Sequence, residues 1–231
     1  MKSFIIKSHA KINLALNVIE KKDNLHKIES IVSFINLHDL IYLKYTDKKD
    51  HIISFKGKFS KNISKKNTVA TLLKLLDQKK LLNNQKFEIK IIKNIPQKSG
   101  MGGGSMNAAS LINFFIKHKV LNLKTNELSK LASQIGSDVI LGLKPTCTIL
   151  SSNGEIKKYR QNIRLHTLIV KPNFGCSTKY IYSNVKSFSK QQFRRPKQSM
   201  FNIKYLKTLN NDLEKIALKK HPKLKKIKSF L

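Results

Sequence analysis

The run Ile95-Pro96-Gln97-Lys98-Ser99-Gly100-Met101-Gly102-Gly103-Gly104-Ser105-Met106-Asn107-Ala108-Ala109 joins a strand-like stretch, Phe87–Ile95, to a helix-like stretch, Ser105–Lys119. Four glycines let the backbone curl tightly and aim several N–H groups at one point. The helix that follows adds its own unsatisfied N–H groups and the positive end of its dipole. Strand, glycine turn and helix N-terminus together make a phosphate cradle. Two familiar cradles are excluded. No Gly-Lys-Ser/Thr follows, so this is not a P-loop, and Ser105 stands where a dinucleotide fingerprint needs its third glycine.

Two more residues have the right chemistry. Lys11 lies on a strand, two residues from Asn13 and on the same expected face. Asp138, in Ile135-Gly136-Ser137-Asp138-Val139, follows a helix end at a tight turn and is the only acid within ten residues of its position. A carboxylate beside a lysine is a workable base for a hydroxyl that attacks a γ-phosphate. Taken singly, each has a plainer reading: Asp138 as a helix cap, Lys11 as one surface lysine of 42.

The elements that must position these groups follow from periodicity. Residues 11–19 alternate, with Ile12, Leu14, Leu16 and Val18 on one face, as in a half-buried strand. Residues 26–36 and Leu40–Tyr45 read as two further strands, and 46–66 as a short hairpin and loop. Asn67–Leu82 is helical, with Val69, Leu72, Leu73 and Leu76 at i, i+3, i+4 and i+7. Thr125–Ile135 is a third helix, which Gly136 stops. Thr146–Leu150 and Leu165–Val170 read as strands and Gln191–Ser199 as a loop. From Asn211 onward the chain reads as basic helix broken at Pro222, a solvated face. Strands, helices, then more strands give the α+β class. A change in composition near residues 150–160 suggests a larger N-terminal catalytic domain, 1–155, and a smaller C-terminal one, 156–231.

The chain has 231 residues, a formal charge of +33 and 40% hydrophobic residues. Such charge invites a nucleic-acid reading. However, only Arg160, Arg164, Arg194 and Arg195 among the 46 basic residues are arginine, the side chain that reads bases and phosphates best. Lysine is spread along the whole chain with isoleucine and asparagine, all with A/T-rich codons, so the charge is read as compositional drift and nucleic acid is not the expected partner. No apolar run is long enough for a membrane span. The first residues are too weakly apolar for a secretory signal. Cys147 and Cys176 are too few for a disulfide framework, which fits a reducing cytoplasm.

Four segments together resemble the 4-diphosphocytidyl-2-C-methyl-D-erythritol kinases, a branch of the GHMP kinases: Ala10-Lys11-Ile12-Asn13-Leu14, Leu25-His26, the run from Pro96 to Ala109, and Gly136-Ser137-Asp138-Val139. Pro172–Thr178 and Asn211-Asp212-Leu213-Glu214 are similar to later family segments. The resemblance spans roughly residues 8–230. It implies a two-lobed fold, with a ribosomal-protein-like N-terminal lobe and a ferredoxin-like C-terminal lobe. It implies a cytoplasmic enzyme that moves the γ-phosphate of ATP, with Mg²⁺, to the 2-hydroxyl of its substrate, a step of the non-mevalonate isoprenoid route. Asp138 would be the base and Lys11 its electrostatic partner. Asn13 would position the polyol, His26 the cytosine edge, and Leu25 would give apolar contact. Pro96, Gln97, Lys98, Ser99, Gly100, Met101, Gly102, Gly103, Gly104, Ser105 and Met106 would wrap the ATP phosphates. Ser105 is the one candidate metal ligand.

The sequence also departs from that pattern. His9 replaces a proline, Asn24-Leu25 replaces Gly-Tyr, and Lys98, Ser99 and Met106 replace two glycines and a serine. The chain stops at Leu231, before the family's glycine-rich motif and closing strand, so the C-terminal lobe is expected to be incomplete. The alternatives are a truncated or inactive homologue of these kinases and a basic nucleic-acid-binding protein.

Overall fold

A computed structural model describes residues 3–23, 25–160 and 165–231. Asn24 and Arg164, both singled out in the sequence, lie outside the described residues. In chain order the elements are β1 (Ser3–Lys22), β2 (Leu25–Thr46), β3 (Ile52–Lys56), α1 (Thr68–Gln78), β4 (Lys86–Ile92), α2 (Gly103–Lys117), α3 (Thr125–Ile135) and α4 (Val139–Gly142). They continue with β5 (Cys147–Leu150), β6 (Ile156–Tyr159), α5 (Thr178–Ser183), α6 (Ile203–Lys207), α7 (Asp212–Lys220) and α8 (Lys223–Phe230). The α+β class is as expected. No helix is long and apolar enough to cross a membrane among the described residues.

The chain forms two compact units interleaved in sequence. The first comprises Met1–Lys11, Ile35–Gln97 and Met101–Pro145; the second comprises Ile12–Phe34, Lys98–Gly100 and Thr146–Leu231. The long strands β1 and β2 each contribute to both.

In the first unit β4 carries the core. Its residues alternate, so that Phe87, Ile89 and Ile91 are fully buried. They pack with Val69, Leu72, Leu73 and Leu76 of α1 and with Leu111, Ile112 and Phe115 of α2. Each such side chain contributes about 1.5–3 kcal/mol when fully buried. β4 pairs antiparallel with β2, from Leu40 opposite Ile92 to Thr46 opposite Lys86, and parallel with β3. The hairpin expected over residues 46–66 is therefore not formed. A parallel pair needs a crossover, and α1 supplies it. Asn67 caps α1, its side chain accepting from the N–H groups of Val69 and Ala70.

In the second unit β5 pairs antiparallel with β2 at Ser30–Val32 and with β6 along its other edge. Ala15, Ile31, Cys147, Ile149, Phe193 and Phe201 form the core. Glu29 is fully buried; its carboxylate accepts from the N–H groups of Gln192 and Phe193 at 2.8 and 3.1 Å, fixing the 191–199 loop.

Three expectations are corrected. The stretches 26–36 and 40–45 are one strand, because the polar residues between them find partners instead of ending it: Asp39 is fully buried and hydrogen-bonded. Over residues 15–18 the strand is not half-buried. Ala15, Leu16, Asn17 and Val18 are all buried, so both faces of β1 are covered there. Leu165–Val170 adopts no regular structure and is exposed; strand-like residues without a partner strand do not make a ladder.

Candidate active site

The glycine run opens α2 in an unusual way. Gly102 occupies the cap position in the left-handed region (φ +68°), with no side-chain cap and no acid in the first turn. The N–H groups of Gly103, Gly104 and Ser105 therefore precede the first intrahelical acceptor, while that of Met106 bonds to Gly102 O at 2.8 Å. A side chain at Gly102 would put its Cβ 3.0 Å from Lys11 Cγ. At Gly104 a Cβ would meet Thr68 Oγ1 at 3.0 Å, and the Thr68 hydroxyl donates to Gly104 O at 2.7 Å. The absent side chains leave open backbone dipoles that favour an anion.

Lys11 lies against this turn. Its N–H donates to Met101 O at 3.1 Å, and its stem covers Gly102. Its Nζ sits 3.2 Å from Asp138 Oδ2; the lysine side chain is 7% exposed and the aspartate 35%. Asp138 stands at the cap position of α4 but makes no capping hydrogen bond. The plain reading of Asp138 as a helix cap therefore fails: its carboxylate is turned to Lys11. Gly136, which ends α3, is extended (φ 170°) rather than left-handed. It passes close to Ser105, whose Oγ is 3.6 Å from where a Gly136 Cβ would lie. The first unit thus brings Lys11, Asp138 and the 101–105 turn together.

Other members of the run have different surroundings. Gln97 donates through Nε2 to the carbonyls of Phe59 and Lys61, both at 2.7 Å, so its amide braces a loop. Met106 is buried, with Sδ 3.0 Å from where a Gly142 Cβ would lie, so its side chain packs against α4 instead of facing outward. Pro96 and Met101 are buried; Ser99 and Gly100 are exposed. In the second unit Lys98, left-handed at φ 52°, accepts through its carbonyl from Cys176 N–H at 3.1 Å. Its side chain packs over Gly175.

The expected substrate residues also lie in the second unit. Asn13 is half-buried, and Leu25 is 78% exposed. The His26 ring lies 5.2 Å from that of Tyr182. Its Nε2 is buried with no hydrogen-bond partner. Burial, and then the charge of Lys21, lower its pKa. Tyr182 was missed by sequence reasoning, its one signal being an aromatic just past Ser177-Thr178. Asp39, Lys93 and Asn107 were also missed, being far apart in sequence and unremarkable singly.

No group of three or more His, Cys, Asp or Glu could hold a metal among the described residues. Mg²⁺ often keeps several waters and binds through substrate phosphates, and the turn offers it the Ser105 hydroxyl.

Residues 67–145 match the GHMP kinases N terminal domain. A 4-diphosphocytidyl-2-C-methyl-D-erythritol kinase of Pelagibacter ubique is 65% identical over all of this chain, which spans 82% of that protein. The chain belongs to the 4-diphosphocytidyl-2-C-methyl-D-erythritol kinase family. The kinase of this name from Petrotoga mobilis is 31% identical, over 96% of this chain and 88% of its own length. A crystal structure of 4-(cytidine 5'-diphospho)-2C-methyl-D-erythritol kinase shares the fold, with a TM-score of 0.71 at 20% identity, over 97% of this chain and 81% of that one. As a GHMP-type kinase, the chain uses ATP.

Proposed function

We propose that this chain phosphorylates the 2-hydroxyl of 4-diphosphocytidyl-2-C-methyl-D-erythritol from ATP, in the non-mevalonate route to isoprenoid precursors in the cytoplasm. The observation that supports this most directly is the Lys11–Asp138 pair beside the open first turn of α2. ATP supplies the γ-phosphoryl group. The N–H groups of Gly103, Gly104 and Ser105 bind its phosphates, helped by the helix dipole; Ser105 would hold Mg²⁺, which would offset the negative charge of the phosphates. Asp138 takes the proton from the attacking hydroxyl. Lys11 keeps Asp138 ionised and aimed, and faces the charge that develops on the transferred group. Asn13 holds the polyol, and the orphaned Nε2 of His26 meets the cytosine edge. Leu25 adds apolar contact. Domain 1–155 carries the nucleotide and the base, and 156–231 completes the fold.

The test is ADP release by the purified chain with MgATP, with and without the substrate. Release that depends on the substrate is expected. A folded, ATP-binding protein that releases no ADP with it would overturn the assignment.

A further inference from the structure

Asp39 is fully buried on β2, and its carboxylate holds four donors. Oδ1 accepts from the N–H groups of Asn94 and Ile95, at 2.7 and 2.8 Å. Oδ2 accepts from the ammonium of Lys93, itself buried, and from Nδ2 of Asn107 at 3.1 Å. Asn94 and Ile95 are the last residues before the glycine run; Asn107 is in the second turn of α2, just after it. One carboxylate therefore grips both ends of the run.

Two details show that this grip constrains the turn itself. A carboxylate only accepts, so Asn107 must present Nδ2 to it, and Asn107 Oδ1 is left buried with no partner. An orphaned acceptor costs stability, and its retention needs an explanation. Gly103, first residue of α2, would place a Cβ 3.1 Å from Ile95 Cγ2 and 3.3 Å from Lys93 Nζ. The cluster thus presses directly against the residue whose N–H opens the cradle. Lys93 also neutralises Asp39, whose charge would otherwise repel phosphate from behind the helix N-terminus.

We propose that Asp39, with Lys93 and Asn107, is a positioning clamp that holds the glycine run in its nucleotide-binding shape. The clamp sets affinity for the nucleotide and leaves that for the second substrate alone. This rests on the reading that the 96–106 run binds the ATP phosphates. In Asp39→Asn the new amide still accepts from Asn94 and Ile95 but offers an N–H to two donors, so the arm to α2 is lost. Asn107→Ala cuts the same arm from the other side.

The experiment measures the Kd of a non-hydrolysable ATP analogue and the KM of the second substrate in Asp39→Asn, Asn107→Ala and the double variant. Amide exchange over residues 98–106 is followed in the unaltered protein with and without the analogue. A misplaced cradle predicts nucleotide Kd raised roughly 10- to 100-fold. The KM of the second substrate stays within about threefold, and the double variant is no worse than the worse single one, since both cut one arm. Melting temperature lowered with nucleotide Kd unchanged would reduce the cluster to a purely structural role and overturn the clamp. Asn107→Ala decides this alone if Asp39→Asn does not fold. Absence of nucleotide protection over 98–106 in the unaltered protein would instead overturn the cradle reading, and the clamp with it.

Discussion

Asp138→Asn isolates the proton transfer from everything else at the site. The amide has the carboxylate's shape and can still accept from Lys11 Nζ, now 3.2 Å from Oδ2, but it cannot take a proton at neutral pH. General-base catalysis contributes typically 10²–10⁴-fold. At about 1.36 kcal/mol per decade, that is roughly 2.7–5.5 kcal/mol of barrier. The nucleotide should not suffer. The N–H groups of Gly103, Gly104 and Ser105 are untouched, and removing a negative charge near them favours an anion. Stability should fall, because Lys11, only 7% exposed, loses the carboxylate charge it faces, so turnover is compared on protein shown to be folded. The assay is steady-state ADP release at saturating MgATP and substrate, with calorimetric titration of nucleotide on the same preparation. The expected result is kcat lowered by about 10²–10⁴-fold with nucleotide affinity equal or better. A kcat within about threefold of the unaltered enzyme would place the base elsewhere. Loss of nucleotide binding along with turnover would equally refute the reasoning, making Asp138 a support for the cradle.

Gly102→Ala forces a left-handed alanine, costing about 1–2 kcal/mol, and sets its Cβ 3.0 Å from Lys11 Cγ. Turnover should fall in step with stability, whereas Gly154→Ala, equally left-handed but with nothing within 4 Å, should cost stability alone; equal turnover in the two variants would refute the Lys11 contact. Leu25→Tyr puts an aromatic ring at an exposed position, and a base stack of about 1–3 kcal/mol should lower the substrate KM roughly 5- to 150-fold; an unchanged KM would remove Leu25 from the substrate site. His51 accepts from Phe87 N–H through Nδ1 and meets Asp77 through Nε2, at 3.0 and 3.3 Å. Burial, with the charge of Lys86, outweighs Asp77 and lowers its pKa below 6.5. The unfolded chain then binds more protons than the fold, so this stability is complete above pH 6.5 and lost as pH falls through the lowered value. Urea midpoints between pH 7.5 and 5 should decline less steeply in His51→Gln, and identical slopes would rule the histidine out.

What the sequence reveals here is what neighbours along the chain determine. The 3.6-residue spacing of Val69, Leu72, Leu73 and Leu76, with Asn67 ahead of it, marks α1 because the cap and the apolar stripe are both local. The β4–glycine–α2 unit is legible for the same reason. Where pairing is distant, the pattern misleads. Asn36-Leu37-His38-Asp39 reads as a break in β2, but Asp39 is satisfied by residues 54–68 positions away, so the strand continues. Leu165–Val170 has the apolar, β-branched residues of a strand, yet no partner is written into that stretch. Nor does composition foretell that β1 and β2 divide their lengths between two units.

The lysines make the same point about function. With 42 in the chain, no lysine stands out by type. Burial separates them: among the described residues only Lys11 and Lys93 are buried cations. Each is paired with a carboxylate, Asp138 for one and Asp39 for the other. Each also lies against one glycine of the run, Lys11 against Gly102 and Lys93 against Gly103. Enclosing an ammonium is costly unless it is paired, so a chain drifting toward surface lysine gains nothing by burying two beside one turn. The glycines give the reason. Without side chains they let both cations approach a set of unsatisfied N–H groups, and the paired carboxylates keep that concentration of positive charge from opposing the fold before an anion arrives. The formal charge of +33 belongs to the whole chain, whereas two lysines, two aspartates and two glycines are gathered at one turn.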